Sequence, residues 1–213
     1  MPKQPATKRL FDFVCAGFGV LMLSPVLAAI AIAVKVDSPG PALYRGRRAG
    51  LRGKPFLMLK FRTMVTEAEN MGGPSTPIGD ARITRIGKYL RKYKLDELPQ
   101  LFNVLRHEMS LVGPRPEVLS EIETYSPAEK ELLSVLPGIT DWASLHFRNE
   151  GEILEGSANP QQAYREKIRP EKIELGLCYV REHSFLTDIK IIAKTLKAIL
   201  VLSPSVNNTR KLL

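Results

Sequence analysis

Hydrophobic and polar positions sort the chain into one long uncharged run and a series of shorter periodic stretches. No charged residue appears from Phe13 to Val34, a run long enough for a helix to cross a bilayer. Ala42 to Gly50 and Pro55 to Met64 read as two short strands joined by a turn at Gly50-Leu51-Arg52-Gly53. In the second strand, alternation puts Leu57, Leu59 and Phe61 on one face and Lys60 and Arg62 on the other. Thr66 to Met71 suits a short helix, and Gly72 to Asp80 a loop of the kind that covers a site or merely connects. Ile83 to Tyr93 reads as a basic helix. Leu98, Leu101, Phe102 and Leu105 then repeat at helical spacing. Asp96 suits the N-cap of that helix, and Pro99 is tolerated in a first turn whose amides have no intrahelical partner. Ser126-Pro127-Ala128-Glu129 is a capping box with proline at the first helical position, and its helix ends at Pro137-Gly138. Trp142, His146, Arg148 and Asn149 fall in an irregular region, where His146 lacks partner spacing and reads as structural. Asn159-Pro160 and Arg169-Pro170 are helix starts.

The last helix, about Phe185 to Leu202, sets a broad apolar stripe of Leu186, Ile189, Ile192, Ala193, Leu196, Ile199 and Leu200 beside Lys190, Lys194 and Lys197. Such a helix lies on anionic lipid or packs its stripe on the core, and the pattern admits both. Asp188, in its first turn, is a helix-start charge or a site residue.

The uncharged run departs from a simple span at Ser24-Pro25, where proline leaves the Leu21 carbonyl without its usual amide partner. Ser24 is placed to bond a backbone carbonyl and ease the break. Both flanks are basic: Lys3, Lys8 and Arg9 before the run, Lys35, Arg45, Arg47, Arg48 and Arg52 after it. The positive-inside rule wants both ends in the cytoplasm. A re-entrant helix broken at Ser24-Pro25 satisfies both, and an ordinary Pro-kinked span is the alternative. Asp37-Ser38-Pro39-Gly40-Pro41 breaks the chain, dividing a basic flank and membrane helix (1–37) from a globular part (38–213). The fold class expected is mostly α with a small β element (α+β).

Composition narrows the partners. A chain of 213 residues with 44% hydrophobic content suits one domain with an appended segment. The net charge of +9 points to an anionic partner: nucleic acid, anionic membrane or a phosphorylated substrate. Its two cysteines, Cys15 and Cys178, form no disulfide framework or metal spacing, so a reducing, cytosol-facing environment is expected.

The chemistry centres on Asp96-Glu97. Arg85, Lys88, Arg91, Lys92 and Lys94 lie just upstream, and Arg106 and Arg115 just downstream. A carboxylate pair among cations suits a site that binds Mg²⁺ and a phosphorylated substrate together, although a capped helix with an acidic first turn has the same pattern. The helix N-terminus is expected to keep Asp96 ionised. Lys60 and Arg62 face a phosphate or line a solvated strand face. Arg115, held extended between Pro114 and Pro116, is a phosphate ligand or an exposed turn residue.

Five motifs in order complete the picture: Ser38-Pro39-Gly40-Pro41, Lys60-Phe61-Arg62-Thr63-Met64, Leu95-Asp96-Glu97-Leu98-Pro99-Gln100-Leu101, Met109-Ser110-Leu111-Val112-Gly113-Pro114-Arg115-Pro116 and Leu136-Pro137-Gly138-Ile139-Thr140. The chain resembles the bacterial sugar transferase family, the monotopic polyprenyl-phosphate phosphoglycosyl transferases, over nearly its whole length. Its length is similar to that of the minimal members. The resemblance implies transfer of a sugar-1-phosphate from a nucleotide diphosphate sugar, usually a UDP-sugar, to polyprenyl (undecaprenyl) phosphate, releasing UMP. It implies Mg²⁺ at Asp96 and Glu97, with Asp96 as nucleophile in a covalent phosphosugar intermediate. Lys60, Arg91, Arg115 and Arg148 match cations near the phosphates, Asp188 matches a further acidic position, and Ser24 and Pro25 match a re-entrant break. The implied setting is the cytoplasmic face of a bacterial inner membrane, with amphipathic interfacial helices, lipid, nucleotide sugar and polyprenyl phosphate as partners, and no nucleic acid. A homodimer stays open.

Lys94 stands where a small hydroxyl residue is expected, Arg106-His107-Glu108 where Gly-Asp is commoner, and Asp141 where glycine is usual. Two other readings compete. A metal-dependent glycosyltransferase without lipid acceptor leaves Phe13 to Val34 unexplained. A membrane-tethered basic binding module explains the charge but not the acidic pair.

Overall fold

A computed structural model of the protein describes residues 5–71, 79–157 and 159–200. Helix α1 (Ala6–Asp37) is its longest element, about 48 Å at 1.5 Å per residue. It stays helical through Pro25, and the Ser24 hydroxyl donates to the Leu21 carbonyl at 2.8 Å. That oxygen is the one Pro25 leaves without an amide, so the expected local repair is present and no interruption of the helix appears. Among the described residues α1 is the one helix long and apolar enough to cross a bilayer.

Strands β1 (Leu43–Ala49) and β2 (Pro55–Phe61) pair antiparallel, with Tyr44 opposite Lys60. They are shorter than expected at the far end, where Met64 makes only an isolated bridge to Ile83. The short helix α2 (Ala68–Met71) follows. Most of the loop expected over Gly72–Asp80 lies outside the described residues. Helix α3 (Arg85–Lys92) is capped by the Thr84 hydroxyl, which accepts from Gly87 N. Gly87 is required there, because a Cβ would stand 2.2 Å from the Thr63 carbonyl oxygen.

The expected helix opening at Asp96 is divided instead. Leu95–Glu97 forms a tight 3₁₀ turn, and α4 (Gln100–Leu105) begins beyond Pro99. Asp96 is therefore not the N-cap of α4. Strand β3 (Ser110–Val112) leads through α5 (Leu119–Ile122) to the Ser126–Glu129 capping box, where each residue's amide donates to the other's side chain. The box opens a 3₁₀ helix (Glu129–Ser134), not an α-helix.

Strand β4 (Gly138–Thr140) pairs parallel with β3, a pairing that local pattern did not reveal. The crossing is tight: a Cβ on Gly138 would lie 2.1 Å from Gly113 N. Of the residues read as irregular, Trp142 and His146 lie in α6 (Trp142–His146), while Arg148 and Asn149 fall in the turn before α7 (Glu150–Ile153). The Asp141 carboxylate accepts from Ser144 N at 2.7 Å and caps α6. Helices α8 (Pro160–Lys167) and α9 (Arg169–Glu182) start at the expected Asn159-Pro160 and Arg169-Pro170. Helix α10 (Phe185–Leu200) closes the description, and residues 201 and 202 of the predicted helix lie outside it.

α1 supplies part of the core. Ala16 packs with Met58, Val104 and Met109, and Leu27 and Val34 pack with Phe61 and Leu90. Leu95 and Leu98, which flank the acidic pair, pack into the second of these clusters. The opposite side of α1 leaves Leu10, Phe13, Val14, Phe18, Leu21, Met22, Val26, Ile32 and Val36 exposed. α10 likewise exposes Phe185, Leu186, Ile189, Leu196 and Ile199, and Phe185 meets Phe11 of α1 edge-on at 5.1 Å.

Candidate active site

The 3₁₀ turn is held between three elements, and its carboxylates receive cations from each side. Lys60, near the end of β2, places Nζ 2.9 Å from Glu97 Oε1. Arg115 leaves the end of β3 through Gly113-Pro114 and grips the same carboxylate with both terminal nitrogens, Nη1 to Oε2 at 3.2 Å and Nη2 to Oε1. Arg91, on the last turn of α3, is steadied by the Thr63 hydroxyl at 3.0 Å and acts on Asp96 through space. Lys94, which joins α3 to the turn in a left-handed conformation (φ 57°), adds a fourth positive charge near both carboxylates.

The two acids are shifted in opposite directions. Burial alone pushes Glu97 up, but Arg115 and Lys60 outweigh it and hold the carboxyl well below the usual range. Glu97 is a fixed anion that fastens two cations. In Asp96 burial is the largest influence and raises the carboxyl, with Glu97 adding to it, against Lys60, Lys94 and Arg91. This reverses the expected effect of the helix N-terminus: Asp96 precedes α4, and desolvation dominates at 7% exposure. Asp96 Oδ1 is sealed from solvent and meets no donor. Lys60 is lowered by its own burial, against the pull of Glu97. Glu97 and Asp141 sustain the charge on Arg115, with Glu97 the larger influence.

Asp96, Glu97, Lys60, Arg91 and Arg115 thus converge. Three expected site residues do not join them. Arg62 is buried and spends its guanidinium on the linker after α1, donating to the Ser38 hydroxyl, the Ser38 carbonyl and the Pro41 carbonyl. Asp188 is buried between Lys8 Nζ at 2.6 Å and the Tyr179 hydroxyl at 2.7 Å, an anchor between helices. Arg148 donates to the Ala198 carbonyl on α10. In each case the side chain's own partners, invisible to local spacing, decide its place. His146 Nε2 lies 3.1 Å from a carboxylate oxygen of Glu171.

The family model described as "Bacterial sugar transferase" matches residues 3–202. The chain belongs to the bacterial sugar transferase family. It is 41% identical over 193 residues to a protein of Escherichia coli (strain K12) named UDP-glucose:undecaprenyl-phosphate glucose-1-phosphate transferase, covering 88% of this chain and 39% of that one. A Caulobacter vibrioides protein of the same name is 37% identical over 91% of this chain and 69% of its own. A UDP-N-acetylgalactosamine-undecaprenyl-phosphate N-acetylgalactosaminephosphotransferase of Aeromonas hydrophila is 35% identical over 91% and 43%. The chain therefore spans less than half of two of these relatives.

Within this family member the described residues contain no cluster of three or more His, Cys, Asp or Glu suited to a metal ion. Mg²⁺ shared among one or two carboxylates, water and substrate phosphate oxygens needs no such cluster, and the adjacent Asp96 and Glu97 fit that arrangement. Sequence reading missed two residues beneath the turn. Asn103 accepts from Leu59 N and donates to the Leu57 carbonyl and Glu108, clamping α4 to the strand that carries Lys60. Gln100 is buried with both amide atoms unpartnered. Polar residues four and seven places after Asp96, on a face otherwise meant for the core, were the available signal.

Proposed function

We propose that this protein transfers a sugar-1-phosphate from a UDP-sugar to undecaprenyl phosphate, by way of a phosphosugar bound to Asp96. The observation that carries the reading is a buried carboxylate whose Oδ1 has no hydrogen-bond partner, under the charges of Lys60, Lys94 and Arg91, beside a second carboxylate locked to Lys60 and Arg115. The relatives' names supply the donor and acceptor classes.

An Asp96 oxygen attacks the sugar-bearing phosphorus, forming an O–P bond as the bond to UMP breaks. An oxygen of the lipid phosphate then attacks the same phosphorus, and the Asp96–phosphorus bond breaks to give polyprenyl-diphosphate-sugar. A diphosphate repels a carboxylate, so the cations must first neutralise it. Arg115 and Lys60, held by Glu97, are already in place and need little reorganisation. Asp96 and Glu97 would hold Mg²⁺, which when bound supplies further positive charge at the diphosphate. Desolvation of Asp96 leaves its charged form poorly solvated, and so reactive once positive charge is near.

Leu95 and Leu98 seat the acidic turn on α1, so the site lies next to the segment with the long exposed apolar face. In our reading α1 enters the membrane from the cytoplasmic side and returns, bending at Ser24-Pro25, and residues 38–213 form the catalytic part. Both ends of α1 are fastened to the same body, which supports one-sided insertion. Lys8 bonds Asp188 and the Val112 carbonyl at one end, and at the other Asp37 accepts from Ile86 N at 2.9 Å.

The test is UMP release from a panel of UDP-sugars by protein in nanodiscs with Mg²⁺ and undecaprenyl phosphate, beside Asp96→Asn. Turnover that requires lipid phosphate and vanishes in the variant is expected. Full activity of Asp96→Asn would refute the covalent route.

A further inference from the structure

Gln100 is 1% exposed, and neither its Oε1 nor its Nε2 has a hydrogen-bond partner. Buried carboxamides are nearly always paired, so a double orphan points to a group the protein itself does not supply. A third orphan lies one turn earlier in Asp96 Oδ1. The backbone between them is helical, with Leu98 and Pro99 in right-handed helical conformation and Leu101 N bonded to the Leu98 carbonyl. Residues 96, 100 and 103 consequently line one buried face. The third of them, Asn103, is fully engaged. The shortage of partners is therefore confined to the end of the face next to the carboxylate.

We propose that Gln100 is a positioning residue for Asp96: through one buried water its carboxamide holds Oδ1, leaving the other carboxylate oxygen to meet the phosphorus. The inference rests on the reading of Asp96 as nucleophile. A water between them accepts from Nε2 and donates to Oδ1, which gives it the two polar partners a buried water needs. Once Asp96 carries the phosphosugar, Oδ1 becomes a carbonyl oxygen and still accepts. When the Asp96–phosphorus bond breaks, Oδ1 shares the returning negative charge, which the same donor stabilises. Gln100 thus bears on turnover and not on nucleotide affinity.

The experiment compares wild type, Asp96→Asn, Gln100→Leu and Gln100→Asn in nanodiscs, reading kcat for UMP release, the Kd of UDP by calorimetry and the thermal unfolding midpoint. Gln100→Leu is expected to lose kcat by about tenfold to a hundredfold with Kd and midpoint unchanged. Gln100→Asn, with the same amide on a shorter arm, is expected to recover part of that loss. Wild-type kcat in Gln100→Leu, while Asp96→Asn is inactive, overturns this inference alone. Absence of transfer by wild type, or activity in Asp96→Asn, overturns the functional reading and this inference with it. If Gln100→Leu unfolds or loses UDP binding, Gln100→Asn decides: folded with lowered kcat supports the role, and folded with wild-type kcat, or unfolded, makes Gln100 structural.

Discussion

Arg115 and Lys60 share one oxygen of Glu97 but hold it differently, Lys60 by a single Nζ contact and Arg115 by two nitrogens. Arg115 uses two nitrogens in a fork that lysine does not reproduce. Arg115→Lys should lower kcat for UMP release by about a hundredfold, with the positive charge retained. Activity near wild type in that variant would show that charge, not the two-point grip, is what matters. At this scale the sequence was a good guide where chemistry and chain order coincide: the adjacent carboxylates, Lys60 by strand alternation, Arg115 by its flanking prolines. It did not reveal where Arg62, Arg148 and Asp188 are held, although each has a sensible residue type for phosphate or metal work. Their partners, Ser38 and Pro41, Ala198, and Lys8 with Tyr179, are distant in sequence or lie on the backbone, and periodicity reports a face but never the partner across it.

Between elements, single polar side chains do the fastening. Asn103→Ala would leave the Leu59 amide and Leu57 carbonyl without their clamp, at a cost of about 3 kcal/mol, read as a lower unfolding midpoint together with lower activity as Lys60 loses its support. Lys172 on α9 pairs with Glu117, beyond β3, at 3.2 Å. Burial pushes Glu117 up, but Lys172 outweighs it and sets the carboxyl below its ordinary range. A depressed carboxylate contributes stability that is complete above the unfolded value of about 4.3 and is lost as pH falls through the folded value. Lys172→Met should cost about 3 kcal/mol at neutral pH, and its deficit against wild type should narrow as pH falls below about 4. A gap that stays constant from pH 7 to 3.5 in unfolding scans would mean the pair does not stabilise the fold. The helix starts at Asn159-Pro160 and Arg169-Pro170 were legible because proline in a first helical turn is a local signal, whereas the Asp141 cap of α6 went unread. The β3–β4 pairing was not legible either, since it depends on Gly113 and Gly138 approaching too closely for any side chain.

For the whole molecule, the question is how a helix with the composition of a membrane span comes to have both of its ends held by one body. The basic residues at both flanks of α1 point to one side by their charge alone. The structure adds the fastenings: Lys8 to Asp188 and Val112, Asp12 to the Ser110 hydroxyl at 2.6 Å, and Asp37 to Ile86 and Arg85. A straight span would pull one of these sets through the bilayer, parting Lys8 from Asp188 and Asp12 from Ser110 and leaving a buried Asp188 without its cation, which is costly. One-sided insertion keeps them all and leaves the exposed stripe from Leu10 to Val36, with that of α10, to meet lipid. Thr7 and Lys35 are exposed near the two ends of α1. In a background without Cys15 and Cys178, Thr7→Cys and Lys35→Cys should both react with a membrane-impermeant maleimide in inverted vesicles, and neither in intact spheroplasts. Labelling of one position from each side would require a spanning helix. The contacts of one end of α1 with the catalytic body would then have to be abandoned in the membrane.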